Sequence, residues 1–272
     1  MTFAPTSGQN NGRDSRSWRQ RRDDFVDYEK HLQRRENMAK AMSKPYFRDF
    51  SAMRHFKGKT FVAPERVFKR ESALWFPNLR GLTLDKARKG ESDTTEVLRG
   101  KISVVSVFSS GWAENQVKTF CTEEQNPEFH AILKQEKEMG GKGLAQLVEI
   151  NHEPNTLKWW ILRLFSYRIR AQKQKENWGQ YFMVRRGVTE DIKEAIGLLN
   201  SRVGYVYLVD AQCKIRWAGS ARADDHEKES MIKGLRRLLA EARQPKEAGG
   251  VTAGKAPKVV ETSVSEKPVA VA

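Results

Sequence analysis

The chain has 272 residues, 49 Lys and Arg against 34 Asp and Glu, a formal net charge of +15 and 39% apolar residues. That composition does not fill one core of full length; a domain of ~150–200 residues with polar extensions fits better. The longest apolar run, Ile102 to Phe108 broken by serines, falls far short of the ~18–20 residues that cross a bilayer, and no secretory h-region is present, so the expectation is neither an integral membrane protein nor a secreted one.

Two cysteines, Cys121 and Cys213, are too few for a disulfide scaffold or a structural zinc site, and point to a reducing compartment. The basic excess calls for an acidic partner: nucleic acid, anionic lipid or an acidic protein. Residues 1–70 hold 17 Lys and Arg against 8 Asp and Glu, so most of the charge belongs to an N-terminal extension. Its first part, 1–22, is Gly-, Ser-, Asn- and Arg-rich and is expected to be disordered. It reads either as a targeting remnant or as a plain basic tail. Phe25, Tyr28, Leu32, Ala39 and Met42 recur at helical spacing and predict an amphipathic helix over 23–42, within a basic helical extension reaching residue 71.

A regular domain follows over 72–244. Ile102–Phe108 predicts a strand buried on both faces. After the Ser109-Ser110-Gly111 break, Ala113, Val117, Phe120 and Cys121 share one helical face, which Phe129, Ile132 and Leu133 continue beyond an interruption near Pro127. Leu144–Ile150 is a second strand. A helix spans 155–171, a short strand Tyr181–Val184, and a helix capped by Thr189 carries Ile192, Ala195, Ile196 and Leu199. Tyr205–Val209 and Ile215–Ala218 form a hairpin. A last helix opens on Asp224…Glu227, a capping-box pattern. Residues 245–272 read as a disordered low-complexity tail. The order β-α-β-α, a short β-α insertion, then β-β-α predicts a thioredoxin-like α/β sandwich with a mixed central sheet.

In that fold the chemistry sits in the loop after the first core strand, where a helix N-terminus lowers a thiol's pKa. Here the loop is Ser109-Ser110-Gly111-Trp112-Ala113-Glu114-Asn115-Gln116. A serine hydroxyl neither ionises near neutrality nor cycles through a disulfide. The proline usual before the hairpin strand is replaced by Val203-Gly204-Tyr205. Cys121 reads as a buried core thiol and Cys213 as an exposed turn thiol. His31, His55, His130, His152 and His226 lack metal-ligand spacing, and His152, at a strand end, is the one placed like a site residue. No phosphate-binding glycine motif occurs; Arg185-Arg186-Gly187 reads as a charged turn.

The segment from Leu157 to Ile169 is apolar at nine of thirteen positions. Leu157, Trp160, Ile161 and Leu164 form one stripe, expected to be core. Trp159, Arg163, Ser166, Arg170 and Lys173 form another, which suits either an anionic membrane or partner helix, or a solvated basic edge on a packed helix. Nucleic-acid binding would need aromatic platforms and bases on one surface, and these tryptophans read as partly committed to the core.

Leu74–Gly81, Asp93–Lys101 and Phe108–Gln116 resemble three consecutive blocks of a known family, and Trp178–Phe182, Leu198–Asp210 and Ile215–Ser220 extend the match. In order and number they resemble the fungal-type, thioredoxin-like assembly factor of the mitochondrial ATP synthase F0 sector, across about residues 46–242. The resemblance implies a non-enzymatic protein, peripheral on the matrix side of the inner membrane. It would bind the newly made proton-channel subunit (subunit 6, or a) and assist its assembly with the c ring. It implies no catalytic residue, cofactor, metal or small-molecule substrate, and no nucleic acid. An ancestral site kept as a docking groove would be bordered by Trp112, Glu114, Tyr205 and Trp217. Trp75, Phe76 and Pro77, with Trp159, Arg163 and Arg170 facing anionic lipid, are further contact candidates, each weighed against a purely structural role. The alternatives are a thiol oxidoreductase or peroxidase, dependent on Cys121, and a basic nucleic-acid-binding protein.

Overall fold

A computed structural model describes residues 3–12, 17–29, 32, 33, 35, 36, 58–88, 90–140 and 143–244. The predicted tail over 245–272, and Ala39 and Met42 of the predicted 23–42 helix, lie outside the described residues. That helix starts earlier than its periodicity suggests: α1 is Trp18–Val26, opened by a Ser17–Gln20 capping box. Tyr28 and Leu32 of the expected apolar seam are exposed.

The domain is built on a mixed sheet. In chain order the elements are β1 (Arg80–Thr83), β2 (Glu91–Asp93), α2 (Thr94–Leu98), β3 (Ile102–Phe108), α3 (Gly111–Cys121), α4 (Pro127–Glu138), β4 (Ala145–His152), α5 (Thr156–Leu164), α6 (Ser166–Gln172), β5 (Tyr181–Val184), α7 (Glu190–Ile196), β6 (Tyr205–Val209), β7 (Ile215–Ser220) and α8 (Asp225–Arg243). A 3-10 turn over Lys175–Gln180 leads into β5. Among the described residues the seven strands run in the order β2-β1-β5-β4-β3-β6-β7. β3 pairs in parallel with β4, and β4 with β5. β6 and β7 return antiparallel. A parallel pair, an antiparallel hairpin beside its first strand and a closing helix make the fold thioredoxin-like, as the element order predicts.

Strand β3 is central and buried at every position, which is why its sequence is a continuous β-branched run rather than an alternating one. One face of the sheet packs against α3, α4 and α8 through Phe120, Phe129, Trp217, Met231 and Leu235. The other is closed by α2, α7 and the approach segment through Phe76, Leu79, Ile192, Ile196 and Tyr207. The hairpin β1–β2 and helix α2 are absent from the sequence-based reading. Their strands are short, and β1 alternates half-buried and buried positions, giving too little pattern to detect.

The approach segment, residues 59–76, is a strap over the β7 edge. Phe68 N donates to Arg216 O (2.7 Å) and Ile215 N to Leu74 O (2.8 Å). The amides of Thr60 and Phe61 donate to Ser220 Oγ (both 3.1 Å), and Trp217 Nε1 donates to Pro64 O (2.9 Å). The strap thus satisfies an edge that would otherwise offer unpaired backbone groups. Its first clamp is the buried Lys59 ammonium, which pairs with Glu227 and with Asp224 at 2.9 Å. A second is the buried Arg216 guanidinium, held by Phe68 O (2.8 Å) and Glu241 (3.1 Å).

The expected disorder of residues 1–22 gives way over residues 3–12. Asn78, fully buried, donates to Gln9 O (3.0 Å) and accepts from the Asn10 side chain through its carbonyl (2.9 Å). Gly8 N donates to Asp93 (3.0 Å), and Arg99 donates to Pro5 O (3.1 Å). Gly187, at φ +86°, lies so close to Asn10 O that a Cβ there would overlap it. Polar backbone recognition of this kind leaves no apolar signature in the segment that is recognised.

Candidate functional site

The loop between β3 and α3 occupies the thioredoxin-like chemical position. Ser110 caps α3, its hydroxyl accepting from Ala113 N (3.2 Å); the serine standing at the redox position is a helix cap. Trp112, one residue into the helix, is 72% exposed. Glu114 is half-buried and paired with Lys118 one turn on, at 2.9 Å. Trp112, Asn115, Lys118, Thr119 and Arg222 line a shallow groove of about 430 Å³. Opposite the loop, Gly204 N donates to Gln116 Oε1 (2.9 Å), and a Cβ on Gly204 would strike Ala113 O and come within 2.7 Å of Val117 Cγ1. The glycine that stands in place of the usual proline therefore lets β6 close against α3.

Neither thiol serves this loop. Cys121 is buried at the end of α3, and burial, then the Glu149 carboxylate, hold its thiol far above the ordinary value against the lowering effect of Lys173. Cys213 corrects the expectation of an exposed turn thiol. It is 1% exposed, since the strap crosses it and Phe76 N donates to its carbonyl (2.7 Å), and burial pushes its thiol up to about 11. Both are free.

Behind the loop, His152, Ser109, Asn200, Ser201, Val203 and Tyr205 border a small cavity of about 120 Å³. His152 is buried. Burial first, then Lys193, lower its pKa to about 4, with Glu190 opposing. The unfolded chain binds this proton near pH 6.5 and the native chain does not until about pH 4. Native stability tied to His152 is thus complete above pH ~6.5 and lost as pH falls toward 4, by an amount on the order of 3 kcal/mol. In urea titrations across that window, His152→Gln should lose less stability than the wild-type chain. Equal acid sensitivity would remove His152 from the account.

Asp224, His226 and Glu227 are the one cluster among the described residues with metal-ligand proximity. The Lys59 ammonium sits on both carboxylates, in the place a cation would take.

Helices α5 and α6 turn inward the face opposite to the one expected. Trp159 and Ser166 are buried, and Leu162 and Ile169 pack against the core. Leu157 (71% exposed), Trp160 (55%), Ile161 (48%) and Leu164 (70%) face out. Residues 159, 162, 166 and 169 are spaced as helically as the predicted core stripe, so periodicity alone does not choose between the faces. The single predicted helix over 155–171 is also two, meeting at Phe165. Arg163 is exposed and stacks over the rings of Trp159 (5.7 Å) and Trp160 (5.1 Å). Arg170 points back into the body, donating to Leu84 O (2.8 Å).

Of the other predicted contact residues, Phe76, Pro77, Tyr205 and Trp217 are buried. Phe76 and Trp217 pack in the two cores, and Tyr205 OH bonds Thr60 Oγ1 (2.9 Å) and accepts from Asn200 N (2.9 Å). Trp75 is half-buried with Lys214 over its ring at 5.0 Å. Trp112 and Arg163 thus reach solvent, Trp75 and Glu114 partly, while the rest hold the scaffold. Leu157, Ile161 and Leu164 were readable as an apolar stripe in the sequence, and nothing there marked the stripe as external.

A profile of the family described as ATP10 protein matches residues 1–238. The chain belongs to this family. A relative from Eremothecium gossypii, named mitochondrial ATPase complex subunit ATP10, is 32% identical over 219 residues, covering 80% of this chain and 76% of its own. The relative of that name from Saccharomyces cerevisiae is 29% identical, covering 79% and 77%. The ATP10 match includes residues 3–12, which dock on the domain. Among solved structures, a secreted thiol-disulfide isomerase from Corynebacterium glutamicum aligns with TM-score 0.41 and 9% identity, over 67% of this chain and 99% of that one. A DsbF homologue from Corynebacterium diphtheriae gives 0.38 and 13%, over 65% and 94%. The fold is read from the strand order itself.

Proposed function

We propose that this chain is a non-enzymatic assembly factor of the mitochondrial ATP synthase, acting on the F0 sector. It binds the newly made proton-channel subunit (subunit 6, or a) and promotes its assembly with the c ring, as a peripheral protein on the matrix side of the inner membrane. The observation that carries this reading is membership of the ATP10 family, whose curated relatives are named as mitochondrial ATPase complex subunits. A cysteine-free loop at the redox position supports a binding rather than a catalytic use of the fold.

The mechanism is shielding. Unassembled transmembrane segments expose large apolar surfaces that aggregate unless covered. Trp112 and the groove beside it, with Glu114 and Trp75, supply contacts at the domain surface. The buried Phe76, Pro77, Tyr205 and Trp217 hold the strap and hairpin that frame those contacts. Crosslinking and recovery of this chain from mitochondria whose own translation products are freshly labelled should bring down the labelled proton-channel subunit, with the signal fading as ATP synthase matures. No labelled product, together with normal ATP synthase assembly in cells lacking the protein, would refute the proposal.

A further inference from the structure

Among the described residues, the outward face of α5–α6 gathers exposed apolar side chains in one short stretch of chain. Leu157, Trp160, Ile161, Leu164, Phe165 and Tyr167 are each at least 40% exposed within eleven consecutive positions. From Pro154 to Lys175 the chain contains six Lys and Arg and no Asp or Glu. Two of the six are committed to the body, Arg170 to Leu84 O and Lys173 to Glu149, and Lys175 lies beyond α6 at the start of the 3-10 turn. Lys158, Arg163 and Arg168 stay on the exposed face. Arg163 lies over Trp160, and Arg168 over Phe165 (5.2 Å) and Tyr167 (5.9 Å), so each exposed guanidinium is held at the rim of the apolar strip by the rings that form it.

We infer that the α5–α6 ridge is an in-plane anchor that seats the protein on an anionic lipid bilayer. An apolar strip flanked by aromatic rings and bases matches the layering of a membrane interface, with aliphatic tips at the acyl boundary and rings and cations at headgroup level. A second copy of the chain is a poor occupant, because two acid-free ridges face to face would bring like charges together. An anionic surface supplies the missing counter-charge to every exposed base at once. The two ends of the arrangement also agree. α5 follows β4 as α3 follows β3, and these strands are parallel neighbours, so the ridge and the exposed Trp112 start from the same end of the sheet. No helix among the described residues is long and apolar enough to cross a membrane, which leaves lying in the interface as the mode of attachment this face can provide.

The inference does not rest on the assembly role, and its test needs no client protein. The full-length chain is sedimented with phosphatidylcholine vesicles with and without phosphatidylglycerol. Wild-type protein should partition onto the anionic vesicles. Leu157→Gln with Leu164→Gln should lower that partition on the order of tenfold. Both side chains are mostly in solvent, so the thermal midpoint should not move. Arg163→Gln with Arg168→Gln should weaken binding by a similar order and flatten its salt dependence. Three results would overturn the inference: no binding by the wild-type chain; undiminished binding by the leucine variant, which would assign attraction to the basic N-terminal extension; or conversion of a dimer to a monomer by that variant with vesicle binding intact.

Discussion

Glu227→Ala is expected to destabilise the fold by about 3–5 kcal/mol, the usual cost of removing one partner of a buried ion pair. Glu227 is fully buried and serves three groups. It pairs with Lys59, accepts from Ala63 N (3.1 Å), and accepts from Asp224 N (3.0 Å), closing the first turn of α8. Truncation leaves a buried ammonium facing only Asp224 and frees the strap at its start. In urea denaturation the midpoint should fall sharply. Native-state hydrogen exchange should show the amides of Thr60, Phe61 and Ala63 opening well below the global free energy. A variant in which Lys59→Met accompanies Glu227→Leu should recover much of the loss, because an apolar pair asks for no desolvation. A single variant as stable as wild type would show that the ion pair does not hold the strap.

Trp217→Ala should cost a comparable amount, about 3–5 kcal/mol, by opening a cavity where the largest fully buried side chain stood. Trp217 meets Phe120 edge-on with ring centroids 6.0 Å apart, and its indole N–H bonds Pro64 O and Ser230 Oγ (3.1 Å). One side chain therefore joins the sheet, α3, α8 and the strap. Trp217→Phe should recover most of the packing but leave Pro64 O without its donor, giving an intermediate midpoint. If the alanine variant lost less than the phenylalanine variant, packing would not be the source of the effect.

Legibility of the fold from sequence followed the strength of the local pattern. β3, β6 and β7 are β-branched or aromatic runs bounded by turn residues, and α8 opens on a capping box, so their presence and order, and the burial of β3, could be read directly. The β1–β2 hairpin has no such run. Its place is fixed by pairing with β5, with Leu82 opposite Met183, a contact between distant segments that no local window contains. The α5–α6 face failed for another reason. A helix apolar nearly all round offers two stripes of equal spacing, and tertiary packing chose Trp159 and Leu162. For the candidate site, the empty redox loop was legible because it is defined by which residues are missing. The burial of Tyr205, Trp217 and Cys213 was not, because it depends on a strap that arrives from more than 130 positions away in the chain.

That strap has a consequence for the order in which the molecule is made. Lys59 and Glu227 are separated by 168 residues, so the strap leaves the ribosome long before its dock on β7 and α8 exists. At ordinary elongation rates the interval is about 10–30 s. For most of it Trp75, Phe76 and Leu79 have neither Tyr207 nor Cys213 to lie against. A nascent chain thus carries an uncovered aromatic segment until the β6–β7 hairpin is made, and the clamp on Lys59 waits longer, for α8. A chain cut short before α8 would keep the β7 partners of the strap but leave its first clamp, Lys59, without Glu227.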